Sequence, residues 1–137
     1  MDSSKPRKSG MALFWRLVLF GYWITLVVGT HLPSSHPILR QHVGDKVAHF
    51  VAYGVLGWLL AMVWQTSTGR LNGRHLRLLW LAILVIGMID EVTQPPFGRD
   101  ASIWDWLADA AGAAIGLYAF TLSRSWFEKF SFDRFKS

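Results

Sequence analysis

The chain contains no cysteine, so no disulfide, thiolate nucleophile or thiolate metal ligand is available to it. Charge is scarce: Asp, Glu, Lys and Arg make up 17% of its 137 residues, against about 25% in an ordinary soluble domain. It has no G-x-S-x-G, no P-loop, no G-x-G-x-x-G and no H-E-x-x-H, which removes the function classes those motifs define. What fills the space is apolar: 52% hydrophobic residues and eight Trp, a residue that favours the headgroup level of a bilayer. The length gives room for one domain. The net charge of +5 does not point to nucleic acid, because the basic residues lie between apolar runs and form no single patch.

Four apolar runs organise the chain, and the fold they predict is all-α: an integral membrane protein with four transmembrane helices. Residues 1–10 read as a polar, basic tail with Lys5, Arg7 and Lys8. Met11–Thr30 follows; twenty residues at about 1.5 Å each span roughly 30 Å, the hydrocarbon thickness. It reads as a retained anchor, being longer than a signal-peptide core and ending in a poor cleavage site, with Arg16 snorkelling at its basic end. His31–Gly44, with Pro33 and Pro37, reads as a loop, and Asp45 as the cap of a second helix over about 46–65. Thr66–Arg77 reads as a short loop. A third helix covers about 78–94 and stops at Pro95 and Pro96. A tight turn to Ile103 precedes a fourth helix over about 104–123, with Ser102 as its cap. Residues 124–137 carry several Phe among Lys and Arg, and read as a tail lying on the membrane surface.

Four spans put both termini on one side. The N-terminal tail with Arg16, the Arg70–Arg77 loop and the C-terminal tail together hold eleven of the fourteen Lys and Arg. The positive-inside rule then places both termini in the cytoplasm. Six of the nine acids, Asp45, Asp90, Glu91, Asp100, Asp105 and Asp109, fall at the opposite, outer mouth.

Side chains three and four apart share a helix face. Lys46, His49 and Tyr53 line up on the second helix, Glu91 with Gln94 and Asp90 with Gln94 on the third, and Asp105, Asp109, Gly112 and Gly116 on the fourth. Arg99 sits in the turn between, placed to fold over the carboxylates with a fork suited to carboxylate or phosphate. Ionisable residues inside a span are costly, on the order of 2.5–3.5 kcal/mol each at its centre, and mark functional sites. Ala108, Gly112 and Gly116 form a small-xxx-small stripe that lets another backbone approach closely.

The ordered set Asp45, Lys46, His49, Tyr53, then Glu91 and Gln94, then Gly98–Arg99, then Asp105, Asp109, Gly112 and Gly116 resembles the VanZ-like family of small bacterial membrane proteins, over about 45–120. The resemblance implies a bacterial inner-membrane protein with a role at the cell envelope, in a family named for a protein associated with resistance to a glycopeptide antibiotic.

Glu91, His49 and Asp105 are the candidate catalytic groups: Glu91 and Asp105 suit an acid/base pair, and His49 suits proton transfer between carboxylates. Simple neutralisation by Lys46 and Arg99 is the competing reading. Arg99, Lys46, Gln94, Asp109, Asp45, Asp90 and Tyr53 are the candidate ligand-binding residues, and Gly112 and Gly116 the packing residues. No cofactor is expected. A divalent cation, offsetting the excess of acids, is the minority option, and an oxygen-rich set would favour Mg²⁺, Ca²⁺ or Mn²⁺. The expected partners are membrane lipid and an envelope lipid, lipid-linked glycan or glycopeptide-like amphiphile bound at the outer pocket. An intramembrane acid/base enzyme and a purely structural polar clamp are the alternatives.

Overall fold

A computed structural model describes the backbone of residues 5–32 and 42–133, and the side chains of residues 10–32 and 44–124. The chain is all-helical: α1 (Lys5–His31), α2 (His42–Thr68), α3 (Gly73–Thr93), a 3-10 turn (Pro95–Phe97) and α4 (Ile103–Asp133).

Local signals account for the breaks. The α2–α3 connection turns at Gly69, whose φ of +99° suits a residue without Cβ. Asn72 then caps α3, its side-chain oxygen accepting from the His75 N–H at 3.0 Å. Pro95 ends α3 and opens the 3-10 turn, which closes on Gly98 at φ +78°, ψ +25°. Ser102 precedes α4 and its hydroxyl accepts from the Asp105 N–H at 3.4 Å.

The helices run past the bounds their apolar runs suggest. Lys5–Gly10 continues α1, with Pro6 in the first turn where its missing N–H is harmless. Arg74 and Arg77 lie in α3 rather than in a loop. Asp45 is in the first turn of α2 and not before it, so it favours the positive end of the helix dipole instead of capping it. α4 continues to Asp133, where a separate surface segment is expected from the sequence. The common reason is that helical backbone satisfies its own hydrogen bonds whether its side chains are polar or not. Of the loop expected over His31–Gly44, His31 ends α1 and His42–Gly44 begin α2, while residues 33–41, like residues 1–4 and 134–137, lie outside the described residues.

α2 is central. Its largest interface is with α4; α1 packs on α2, and α3 packs mainly on α4. The α2–α4 seam is backbone against backbone. A Cβ on Gly112 would overlap the Phe50 carbonyl oxygen, and one on Gly116 the Gly54 carbonyl oxygen. A Cβ on Gly57 would stand 2.8 Å from the Ala113 carbonyl oxygen. Three aromatic donors tie helix to helix through main-chain carbonyls: Tyr22 to Ala52 (2.7 Å), Trp80 to Ala110 (2.9 Å) and Trp106 to Leu84 (3.0 Å).

The outside of the bundle is apolar. Leu17, Val85, Val92, Trp104 and Tyr118 are each at least 60% exposed, far beyond the scattered apolar exposure of a soluble monomer. Within α1 and α2, Gly10–His31 and Gly44–Thr68 are each long and apolar enough to cross a membrane. Arg16 donates to Ser67 and Arg124 to Gln65 at one end of the bundle. The acids gather at the other end, where α1 and α3 finish and α2 and α4 begin.

Candidate functional site

At that end the chain buries His49, Asp90, Glu91, Gln94, Asp105 and Asp109, each no more than 6% exposed. Burying one polar group without a partner costs about 1–3 kcal/mol, and a charge more, so each partnership matters.

The centre is contributed by three helices. His49 of α2 lies 2.9 Å from Asp109 Oδ1 of α4 through Nδ1, which donates to the carboxylate. The same Nδ1 is 3.9 Å from Glu91 Oε1 of α3. Tyr53, one turn on from His49, lies parallel to the imidazole at 6.4 Å between ring centres and is fully buried. Gly87 makes room for this: a Cβ there would come within 3.2 Å of Asp109 Oδ2 and 3.4 Å of the Tyr53 ring.

Glu91 faces two ways. Its Oε2 accepts the Ser102 N–H at 2.8 Å, so the carboxylate of α3 satisfies a main-chain donor at the start of α4. Its Oε1 faces the centre with no hydrogen-bond partner; Asp109 Oδ2 and the Tyr53 hydroxyl also lack one, the hydroxyl lying toward Asp90.

Around the centre stand two ion pairs. Lys46 Nζ is 3.4 Å from Asp105 Oδ1, and Arg99 Nη2 donates to Asp45 Oδ1 at 2.7 Å. Arg99, expected from sequence to fold over the carboxylates, closes its guanidinium on Asp45, at the start of α2. Of these four, Lys46 is the most open, its side chain 38% exposed.

Asp90 and Gln94 belong to a second, adjoining cluster. Thr30 of α1 donates to Asp90 Oδ1 at 2.8 Å, and Gln94 Nε2 donates to Asp90 Oδ2 at 3.3 Å. His31 lies 3.7 Å from Asp90, 3.0 Å from the Thr93 hydroxyl through Nε2, and edge-on to Phe97. Sequence reasoning leaves out Thr30 and His31. The available signal was their height: at the end of the first apolar run they must stand level with Asp90 if the helices alternate in direction.

The candidate residues thus divide three ways. His49, Glu91, Asp109 and Tyr53 meet in the centre; Asp45, Lys46, Arg99 and Asp105 pair around it; Asp90 and Gln94 turn toward α1. Chemically, the centre can hold or pass a proton between an imidazole and two carboxylates, or hold a cation.

A small all-helical chain with an apolar exterior, two helices able to cross a membrane, and an acid–imidazole cluster at one end defines the class. Within it, the VanZ/LLP1 family model matches residues 3–124, and the chain belongs to that family. No curated protein and no solved structure matches the chain.

Proposed function

We propose that this VanZ-family chain is a four-span protein of the bacterial inner membrane, with both termini cytoplasmic, and that its outer end binds the polar head of an envelope amphiphile. The spans are α1 to α4. The supporting observation is the distribution of polarity: an apolar circumference around buried ionisable groups that, among the described residues, all lie at one end. Family membership and two membrane-length apolar helices agree with it.

The surroundings suit a headgroup. Exposed Phe97, Ile103 and Trp104 make an apolar and aromatic edge at that end, of the kind that anchors at a membrane interface. Lys46 and Arg99 offer two cations whose present partners are carboxylates. A phosphate-bearing or carboxylate-bearing head can exchange for those partners, because both ion pairs keep some exposure. A lipid headgroup, a lipid-linked glycan precursor and a glycopeptide-like amphiphile share this chemistry.

The test is native mass spectrometry of the chain purified from its membrane. Retained amphiphile on the parent chain, lost when Lys46 and Arg99 are both replaced by Ala, supports binding. Equal retention by a folded double variant contradicts it.

A second reading follows from one contact. The His49–Asp109 hydrogen bond beside the open Oε1 of Glu91 is an arrangement for acid/base chemistry. In that reading Glu91→Gln abolishes turnover of an envelope lipid or glycan while the helices stay folded.

A further inference from the structure

We propose that His49, Glu91 and Asp109 form a site for one divalent transition-metal ion of the Zn²⁺ class. The site is separate from headgroup binding and stands whether or not an amphiphile docks above it.

Geometry comes first. One ligand atom from each of the three residues lies within 4.8 Å of the other two. A tetrahedral ion with bonds of about 2.1 Å needs its donors roughly 3.4 Å apart. His49 Nδ1 stands 2.9 Å from one carboxylate oxygen and 3.9 Å from the other. The two distances bracket the requirement, and the third pair, Glu91 with Asp109, falls inside the same 4.8 Å limit.

The second observation is independent of the clustering. Glu91 Oε1, the oxygen 3.9 Å from His49 Nδ1, is buried without a hydrogen-bond partner on a side chain only 5% exposed, and Asp109 Oδ2, on a side chain 2% exposed, is orphaned on the Gly87 side of its carboxylate. Orphaned carboxylate oxygens in a packed interior are a standing penalty. Two carboxylates with a neutral imidazole carry a charge of −2, which one divalent ion cancels. The ion pairs of Lys46 and Arg99 go to Asp105 and Asp45.

A second set, Asp45, His49 and Asp105, also satisfies the 4.8 Å limit. Its Asp105 Oδ1 is likewise buried without a hydrogen-bond partner, but both of its carboxylates already stand in ion pairs, with Lys46 and Arg99. For His49 to serve the first set, Nδ1 takes the metal once its proton moves to Nε2.

The donor set selects the ion. One imidazole nitrogen and two carboxylate oxygens favour Zn²⁺ over Mg²⁺ and Ca²⁺, which prefer six or more oxygens. Three protein ligands leave a fourth position open to water, the pattern of a working rather than a purely structural site.

The experiment uses the whole chain in detergent, stripped with chelator and then dialysed against Zn²⁺, Mn²⁺ or Mg²⁺, with metal content read by mass spectrometry. The expected result is one Zn²⁺ per chain, with Zn²⁺ outcompeting Mn²⁺ and Mg²⁺. Glu91→Gln and Asp109→Asn should each weaken Zn²⁺ binding by roughly tenfold or more. Asp100→Asn, at an exposed turn residue, should leave it unchanged. Co²⁺ loaded into the unmodified chain should show the intense visible bands of a low-coordinate ion, a readout that survives if either variant fails to fold. Zn²⁺ far below one per chain, or a pale six-coordinate Co²⁺ spectrum, overturns the proposal. So does full binding by folded Asp109→Asn. Stoichiometry and spectrum are read without any lipid, so this site and the headgroup reading can fail separately.

Discussion

Replacing Gly112 by Ala sets helix propensity against packing. In an isolated helix Ala is better than Gly by about 1 kcal/mol, so propensity alone predicts a more stable protein. The α2–α4 seam demands the opposite. The new methyl would overlap the Phe50 carbonyl oxygen and would lie 2.8 Å from its carbonyl carbon and 3.0 Å from its Cα. Carbon atoms settle at roughly 3.5–4.0 Å, so the helices must part by at least about half an ångström. A gap of that size forfeits a quarter or more of each van der Waals contact along the seam. Overpacking typically costs about 1–3 kcal/mol, so after about 1 kcal/mol of propensity is credited the net loss should reach up to about 2 kcal/mol. Gly21→Ala is the matched control: it sits within α1 with nothing inside 4 Å of its added Cβ, and should gain about 0.5–1 kcal/mol. Thermal unfolding in detergent, followed by tryptophan fluorescence, measures both. If Gly112→Ala is as stable as Gly21→Ala, the close seam does not exist.

Two other outcomes follow from single contacts and a third from the orientation. Glu91→Gln keeps an oxygen for the Ser102 N–H and should fold in near-parental yield, whereas Glu91→Leu orphans that N–H and should cost about 1–3 kcal/mol on the same unfolding assay. Thr30→Val removes the hydroxyl that donates to buried Asp90 and should destabilise by a similar amount, with Asp90→Asn partly restoring stability to the double variant. Because the chain has no cysteine, Ser102→Cys should react with an impermeant thiol reagent added outside intact cells and Ser67→Cys should not; the reverse labelling refutes the orientation.

How far the sequence carries depends on the kind of feature. Four helices were legible because each is a long apolar run, and the end of α3 was legible because Pro95 cannot donate. The outer limits of α1 and α4 were not, since Lys5–Gly10 and Arg124–Asp133 leave the apolar pattern while the backbone stays helical. Spacing alone grouped His49 with Tyr53 and Asp105 with Asp109, because residues four apart on one helix must share a face. It could not say which acid each cation takes. Arg99 reaches Asp45 and Lys46 reaches Asp105 through tertiary geometry. The same holds for Asp90, which turns away to Thr30 of α1, and for Trp80 and Trp106, whose indole donors find carbonyls on facing helices. A chain read residue by residue shows that polar groups lie at one height, not how they are shared out there.

The account rests on imidazole and carboxylate meeting across α2 and α4. A double-mutant cycle on His49→Asn and Asp109→Asn, read by unfolding free energy, addresses that contact alone. Groups joined at 2.9 Å inside the bundle should show a coupling of about 1 kcal/mol or more, within the range for a shared hydrogen-bond network. Effects that add to within about 0.3 kcal/mol would mean the two side chains do not touch.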